Sequence, residues 1–288
     1  MLSGYFNCKN FSIMIFRNMS NKCVRIFTYF PNPRIWKALI AANLLDVELE
    51  VRGDKPNNLK NWLWDFNAKP LSELKKKLNI REISGKKGFS TKLYKTKKFL
   101  KTNPFGTVPV AFNQSGNIGI SESNSILRLI ARLAKSKKKI YGVDVFSMSR
   151  IDSFLDSFLV FGSLTQNYLL KLYSDKALTK QTIIEAENAF TTFFSGIEKS
   201  LEYNKTKYLV SNYITLADIS FFCEYSQFLY YENKINLYKK SNYAIINDKY
   251  KNKYKLSKKL FLTLSSIKAF KTVSEDIFTK YKIIENIK

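Results

Sequence analysis

FLKTNPFGTVPVAFNQSGNIGISESNSILRLIARLA, residues 99–134, is the stretch on which the fold turns. VPVAF (108–112) is β-branched and apolar and reads as a strand. Pro109 lies inside it, although proline cannot donate to a sheet ladder, so the strand is expected to begin just after a special, cis peptide. A compact turn over 113–116 leads to NIGI (117–120), a short partner strand in a hairpin. SESNSILRLIARLA (121–134) then repeats Ile126, Leu127, Ile130 and Leu133 on one helical face. The order is ββα.

Upstream, VRIFTYF (24–30) is a second strand-like run, and Pro31 and Pro33 punctuate the loop after it. Pro33 suits a first helical position. RIWKALIAANLL (34–45) carries Ile35, Trp36, Leu39, Ile40 and Leu44 at helical spacing, and VELEV (47–51) alternates as a strand. This βαβ unit predicts a parallel pair with a right-handed crossover. Together with ββα it spells a thioredoxin-like domain over residues 19–134. Residues 52–98 interrupt the pattern as a basic insertion, expected to be partly helical around 71–78. Its Trp62 and Trp64 suit either the core of an inserted helix or a stacking surface for RNA.

Residues 1–18 hold no acid and two bases, Lys9 and Arg17, and are expected to contain no packed element. They read either as an organelle transit segment or as an extension upstream of Met19. After the basic linker KSKKK (135–139), helical patterns cover 148–172, 179–201, 215–231 and 260–281. An all-helical domain over 144–288 follows, with a basic loop insertion at 232–259. In YLVSNYITLADISFF (208–222), Thr215 and Asp218 have capping-box spacing, with aspartate in the usual glutamate position.

Composition bounds the chemistry. The 288 residues are 45% hydrophobic and 15% aromatic, a globular balance. No apolar run approaches a membrane span, and residues 11–16 are too short for a signal-peptide core. Cys8, Cys23 and Cys223 form no metal-ligand or redox pair, and no metal site is expected. The chain has no histidine, which removes Ser-His-Asp, Cys-His and imidazole-metal chemistry. The net charge of +25 fits either a polyanionic partner or the coding bias that also enriches Asn, Ile and Tyr.

NPFGTVPV, SESNSI and the TLAD cap, at these separations, resemble the glutathione transferase family over about residues 24–281. TYFPNPRIWKALIAANLL (28–45), with its KALIAA core, looks most like the transferase-like domain of elongation factor 1-gamma. The resemblance implies a thioredoxin-like domain followed by an all-helical one, with a dimer as an inherited expectation. It also implies a partial glutathione site. Glu122 and Ser123 match the γ-glutamyl-binding pair, though they also suit a plain helix cap. Val108 matches the residue whose backbone holds the cysteinyl part, Pro109 the cis-proline, and Thr107 a neighbour of the glycyl end. At the catalytic position, where the family has serine, tyrosine or cysteine, this chain has Asn32, with Tyr29 close by. The expected function is a non-catalytic, cytoplasmic scaffold in translation elongation, binding elongation-factor subunits or tRNA synthetases and requiring no cofactor. The alternative is an active transferase with glutathione as co-substrate, its thiolate stabilised by Asn32 or Tyr29. A second alternative is an RNA-binding accessory acting through the basic insertions. The resemblance further implies a C-terminal domain that these 288 residues do not include, and hence a truncated or divergent paralogue.

Overall fold

A computed structural model describes residues 13–15, 24–74, 80–85, 89, 91–174, 177–237 and 245–287. The chain divides into two compact units between Ala134 and Lys135.

The first unit is built on a mixed five-stranded sheet. Its elements are β1 (Ile13–Ile15), β2 (Val24–Tyr29), α1 (Pro33–Leu45), β3 (Leu49–Asp54), β4 (Trp62–Trp64), β5 (Lys69–Pro70), β6 (Ile80–Ser84), β7 (Lys92–Thr96), α2 (Lys97–Thr102), β8 (Val110–Phe112), β9 (Gly119–Ser121) and α3 (Ser123–Leu133). The strand order is β1-β3-β2-β8-β9. β2 and β3 are parallel, as a helix crossover requires, while β8 and β9 form an antiparallel hairpin against β2. The thioredoxin-like order read from the sequence is therefore present. One edge differs from expectation. Ile13–Ile15, read as lying in an unstructured extension, pairs antiparallel with β3, Met14 opposite Val51. The remainder of residues 1–23 lies outside the described residues.

The insertion corrects a second expectation. Of the partial helix expected around 71–78, Leu71–Glu73 makes a single 3-10 turn, and residues 75–79 lie outside the described residues. The insertion is mainly a second sheet, ordered β5-β4-β7-β6. Trp62 and Trp64 are core residues of that sheet. They join Phe27, Val110 and Phe112 of the main sheet and Phe99 of α2 in one buried cluster. Successive strand residues face opposite ways, so this cluster covers one face of the main sheet. Ile26, Val51 and Ala111, paired in register and fully buried, face the other way, toward α1 and α3. An ion cluster ties the insertion down at its edge. Glu50, 5% exposed, accepts from Arg25 and Arg52 at 2.7 and 2.6 Å. These guanidiniums reach on to Asn67 and to the carbonyl of Ala68. Burial raises the Glu50 pKa, but the two arginines outweigh it and hold the carboxyl below its ordinary range.

The second unit is helical: α4 (Val145–Tyr173), α5 (Lys180–Asn204), α6 (Leu216–Leu237), α7 (Ile246–Lys249), α8 (Lys255–Ser265), α9 (Lys268–Lys280) and α10 (Ile283–Ile287). The single helix expected over 260–281 is two, α8 and α9. The break falls where the Ser266 and Ile267 N–H groups turn back to Leu262 and Leu264 in a C-terminal cap. The loop expected over 232–259 is also partly helical. α6 runs on to Leu237, and α7 forms because Glu232 receives the N–H groups of Ile246 and Asn247 at 2.9 and 3.1 Å. The core of this unit is aromatic, with Phe161 and Phe193 stacked at 4.1 Å and Phe194 edge-on to Tyr225 at 4.6 Å. Among the described residues no helix is long and apolar enough to cross a membrane. None of them form a cluster of three or more metal-ligating side chains.

Candidate functional site

Sheet register brings the sequence candidates to one end of the first unit. Val110 pairs with Ser121, so Pro109 and Glu122 each stand one residue beyond that pair. Val110 also pairs with Phe27 in an antiparallel ladder, so the chain leaving β2 toward Asn32 runs out at the same end. Three segments therefore meet there: the β2–α1 loop, the chain entering β8, and the start of α3.

Asn32 is 1% exposed and N-caps α1. Its Oδ1 accepts from the Arg34 N–H at 3.1 Å, and its Nδ2 donates to Thr28 Oγ1 at 3.2 Å. Both ends of the amide are thus engaged in the fold. Tyr29, half-buried, turns to the insertion side, its ring edge-on to Phe89 at 6.1 Å. The Phe30–Pro31 and Val108–Pro109 peptides are both cis.

The 103–107 turn is shaped from beneath. Asn103 Nδ2 donates to the Thr107 carbonyl at 2.8 Å, and the Gly106 N–H to the Asn103 carbonyl at 2.8 Å. Lys95, 8% exposed, donates to the Gly106 carbonyl at 2.7 Å and lies over the Trp64 ring at 4.6 Å. Burial lowers its pKa. Gly106 has φ +61°, a conformation glycine adopts without a Cβ clash. Thr107 is exposed and Val108 half-buried. Among the described residues no backbone hydrogen bond engages Val108. An extended ligand backbone is thereby offered a strand-like partner.

At α3, Glu122 occupies the N-cap position but makes no side-chain cap bond, and its carboxylate is exposed. Its φ is 66° with ψ 127°, a costly conformation for a residue with a side chain. Such outliers persist where the surroundings hold them, and they gather at ligand sites. Ser123 is half-buried, and Lys37 donates to its Oγ at 3.2 Å and to Asn124 Oδ1 at 2.7 Å. Lys37 is fully buried in α1. Sequence reading missed both Lys37 and Lys95. The one available signal for Lys37 was that α1 has almost no polar face to carry a solvated lysine. Of the other named residues, Thr215 and Asp218 belong to the helical unit and form a buried cap there. Asp218 accepts from the Thr215 N–H, Thr215 Oγ1 and the Leu209 N–H at 2.8, 2.9 and 2.9 Å. Burial pushes its pKa up to about 6, against the pull of those hydrogen bonds.

Known proteins supply further findings. Residues 164–271 match the family model described as glutathione S-transferase, C-terminal domain. The chain is 26% identical over 205 residues to probable elongation factor 1-gamma 1 of Arabidopsis thaliana, covering 69% of this chain and 39% of that protein. It is 31% identical over 140 residues to elongation factor 1-gamma 3 of Oryza sativa subsp. japonica, covering 48% and 31%. The chain thus spans about a third of the length of these curated relatives. Among solved structures it resembles a glutathione S-transferase-like protein from Lodderomyces elongisporus, with TM-score 0.62, 17% identity and coverage of 88% and 95%. It also resembles a poplar glutathione transferase, with TM-score 0.57, 18% identity and coverage of 89% and 98%. These structural likenesses establish the fold: a thioredoxin-like unit followed by a helical glutathione-transferase unit.

Proposed function

From a chain with the glutathione transferase fold and sequence likeness to elongation factor 1-gamma, we propose a scaffold that assembles proteins of translation elongation in the cytoplasm. The partners proposed are elongation-factor subunits or tRNA synthetases. The observation that carries this reading is the direction of the sequence likeness. Curated relatives at 26 to 31% identity bear the elongation factor name, whereas the transferases resembled in structure share 17 to 18%. The loop chemistry agrees with it. Activating a thiol needs a donor free to stabilise the thiolate, and the Asn32 amide is buried and committed to α1 and Thr28.

The test is affinity capture of the tagged full chain from its native cytosol, with partners identified by mass spectrometry. Enrichment of elongation-factor subunits or synthetases over an unrelated transferase bait is the expected result. Recovery of the bait alone would sink the scaffold reading.

A second reading, glutathione held without efficient turnover, is favoured by the open Val108 backbone and the uncommitted Glu122 carboxylate. Calorimetric titration with glutathione tests it. Binding weakened by about 1.5–3 kcal/mol in Glu122→Ala, the range for a charge-assisted hydrogen bond, is expected. Equal affinity in the two proteins would remove Glu122 from the site.

A further inference from the structure

Residues 245–259, IINDKYKNKYKLSKK, contain six lysines and a single acid, Asp248. The structure folds this stretch against α5, and doing so consumes nearby carboxylates. Glu198 caps α8, accepting from the N–H groups of Leu256 and Ser257 at 2.8 and 2.9 Å and from Ser257 Oγ at 2.7 Å. Glu187 is bound by Lys249 and by the Tyr250 hydroxyl.

Asp248 also acts on Lys258, but the charged side chains lining the hollows beside this stretch are all lysines among the described residues. Lys251, Lys255, Lys258 and Lys259 line one open hollow of about 610 Å³, with Leu262 and Ile287 also in its wall. Lys258 is half-buried and donates to the Lys251 carbonyl, so its ammonium is held in place. Burial first, and Lys251 next, lower its pKa. Lys253, between the others in sequence, lines a second hollow of about 550 Å³ with Lys199 and the hydroxyl residues Thr191, Thr192 and Ser195. Like charges gathered in one concavity repel one another, and that cost is relieved when a chain of anions lies along them. Lysines lining an open surface provide mobile point charges and few donors fixed for reading bases.

We propose that this lysine-lined face of the helical unit binds the phosphate backbone of a nucleic acid without reading its sequence. The inference is independent of the scaffold reading.

Fluorescence anisotropy with a labelled single-stranded RNA and the full chain tests it, across a salt series. The fourfold variant K251Q/K255Q/K258Q/K259Q is compared with K135Q/K137Q/K138Q/K139Q, which removes the same charge from the linker. The hollow variant is expected to bind roughly tenfold or more weakly at moderate salt. Its plot of log affinity against log salt should flatten by about 3, as expected for the loss of four phosphate contacts. The linker variant should stay close to the parent, and DNA of equal length should bind within a few-fold of RNA. Circular dichroism checks folding. If the fourfold variant does not fold, Lys255→Gln and Lys259→Gln, both exposed, should each reduce the slope by about 1. Equal losses in both fourfold variants would reduce the binding to bulk charge and overturn the assignment. So would an absence of binding by the parent chain, or displacement of the RNA by a poly-glutamate peptide at lower concentration than by unlabelled RNA, which would point to an acidic protein instead.

Discussion

Asn32 shows how the fold engages both ends of one side chain. Its carbonyl oxygen caps α1 and its amide nitrogen bonds Thr28, and the group is buried. Asn32→Ala should therefore cost about 0.5–2 kcal/mol, the range for a lost N-cap, whereas Asn32→Ser should cost only a few tenths because serine caps as well. Urea denaturation of the two variants separates these outcomes, and equal losses would mean that the Thr28 bond matters more than the cap. Asp218 is the stronger structural residue. Removing its carboxylate leaves the buried N–H groups of Leu209 and Thr215 without their acceptor. At about 1–3 kcal/mol for each unsatisfied group, Asp218→Ala should lose roughly 2–6 kcal/mol in the same experiment.

At the scale of elements, the insertion is built into the first unit's core. Phe27 stacks near Trp62 and meets Trp64 edge-on at 5.4 Å, and Trp64 Nε1 donates to the Leu59 carbonyl at 3.0 Å. Trp64→Ala should cost about 3–5 kcal/mol, the range for an emptied aromatic site, read as a loss of thermal stability. A cost under about 1 kcal/mol would show the insertion to be an appendage. The β8–β9 turn rests on the same insertion. Gly116 has φ +64°, and a Cβ there would lie 2.4 Å from the Phe66 ring. Gly116→Ala should thus destabilise on two grounds, backbone conformation and overlap. Pairing it with Phe66→Ala should recover part of the loss, because only the overlap is relieved.

At the scale of the whole molecule, pH reports on the anchoring of the second insertion. Glu232 is 1% exposed and accepts from the Tyr168 hydroxyl at 2.8 Å as well as from the start of α7. Burial pushes its pKa up to about 8, against hydrogen bonds that lower it. A raised pKa means that the folded state favours the protonated carboxyl. The associated stability is complete below the ordinary value of 4.5 and is lost as pH rises through about 8. The unfolding free energy should fall between about pH 6 and pH 8, by on the order of 2 kcal/mol. Glu232→Gln should start lower, because the Asn247 N–H loses an acceptor, but should not fall across that range. A parallel decline in both proteins would assign the titration to another group. Asp218, whose pKa is pushed up to about 6, contributes the same sign at lower pH.

The order of the thioredoxin-like unit, the proline before β8, the start of α3 and the Thr215–Asp218 cap could all be read from the chain. Each depends on residues adjacent in sequence: period, turn chemistry and capping are local properties. The convergence of Asn32, Val108 and Glu122 at one end of the sheet followed from the same order, since register is set by the strands themselves. The small second sheet, the edge strand at Ile13–Ile15 and the division of α8 from α9 were decided in tertiary structure. Strands of two or three residues, such as Lys69–Pro70 and Trp62–Trp64, are too short to show a period, and distant partners determine whether they pair. The burial of Lys37 and Lys95, and the commitment of both ends of the Asn32 amide, depended likewise on groups remote in the chain. Sequence specified which side chains were available; packing specified which of them remained free to act.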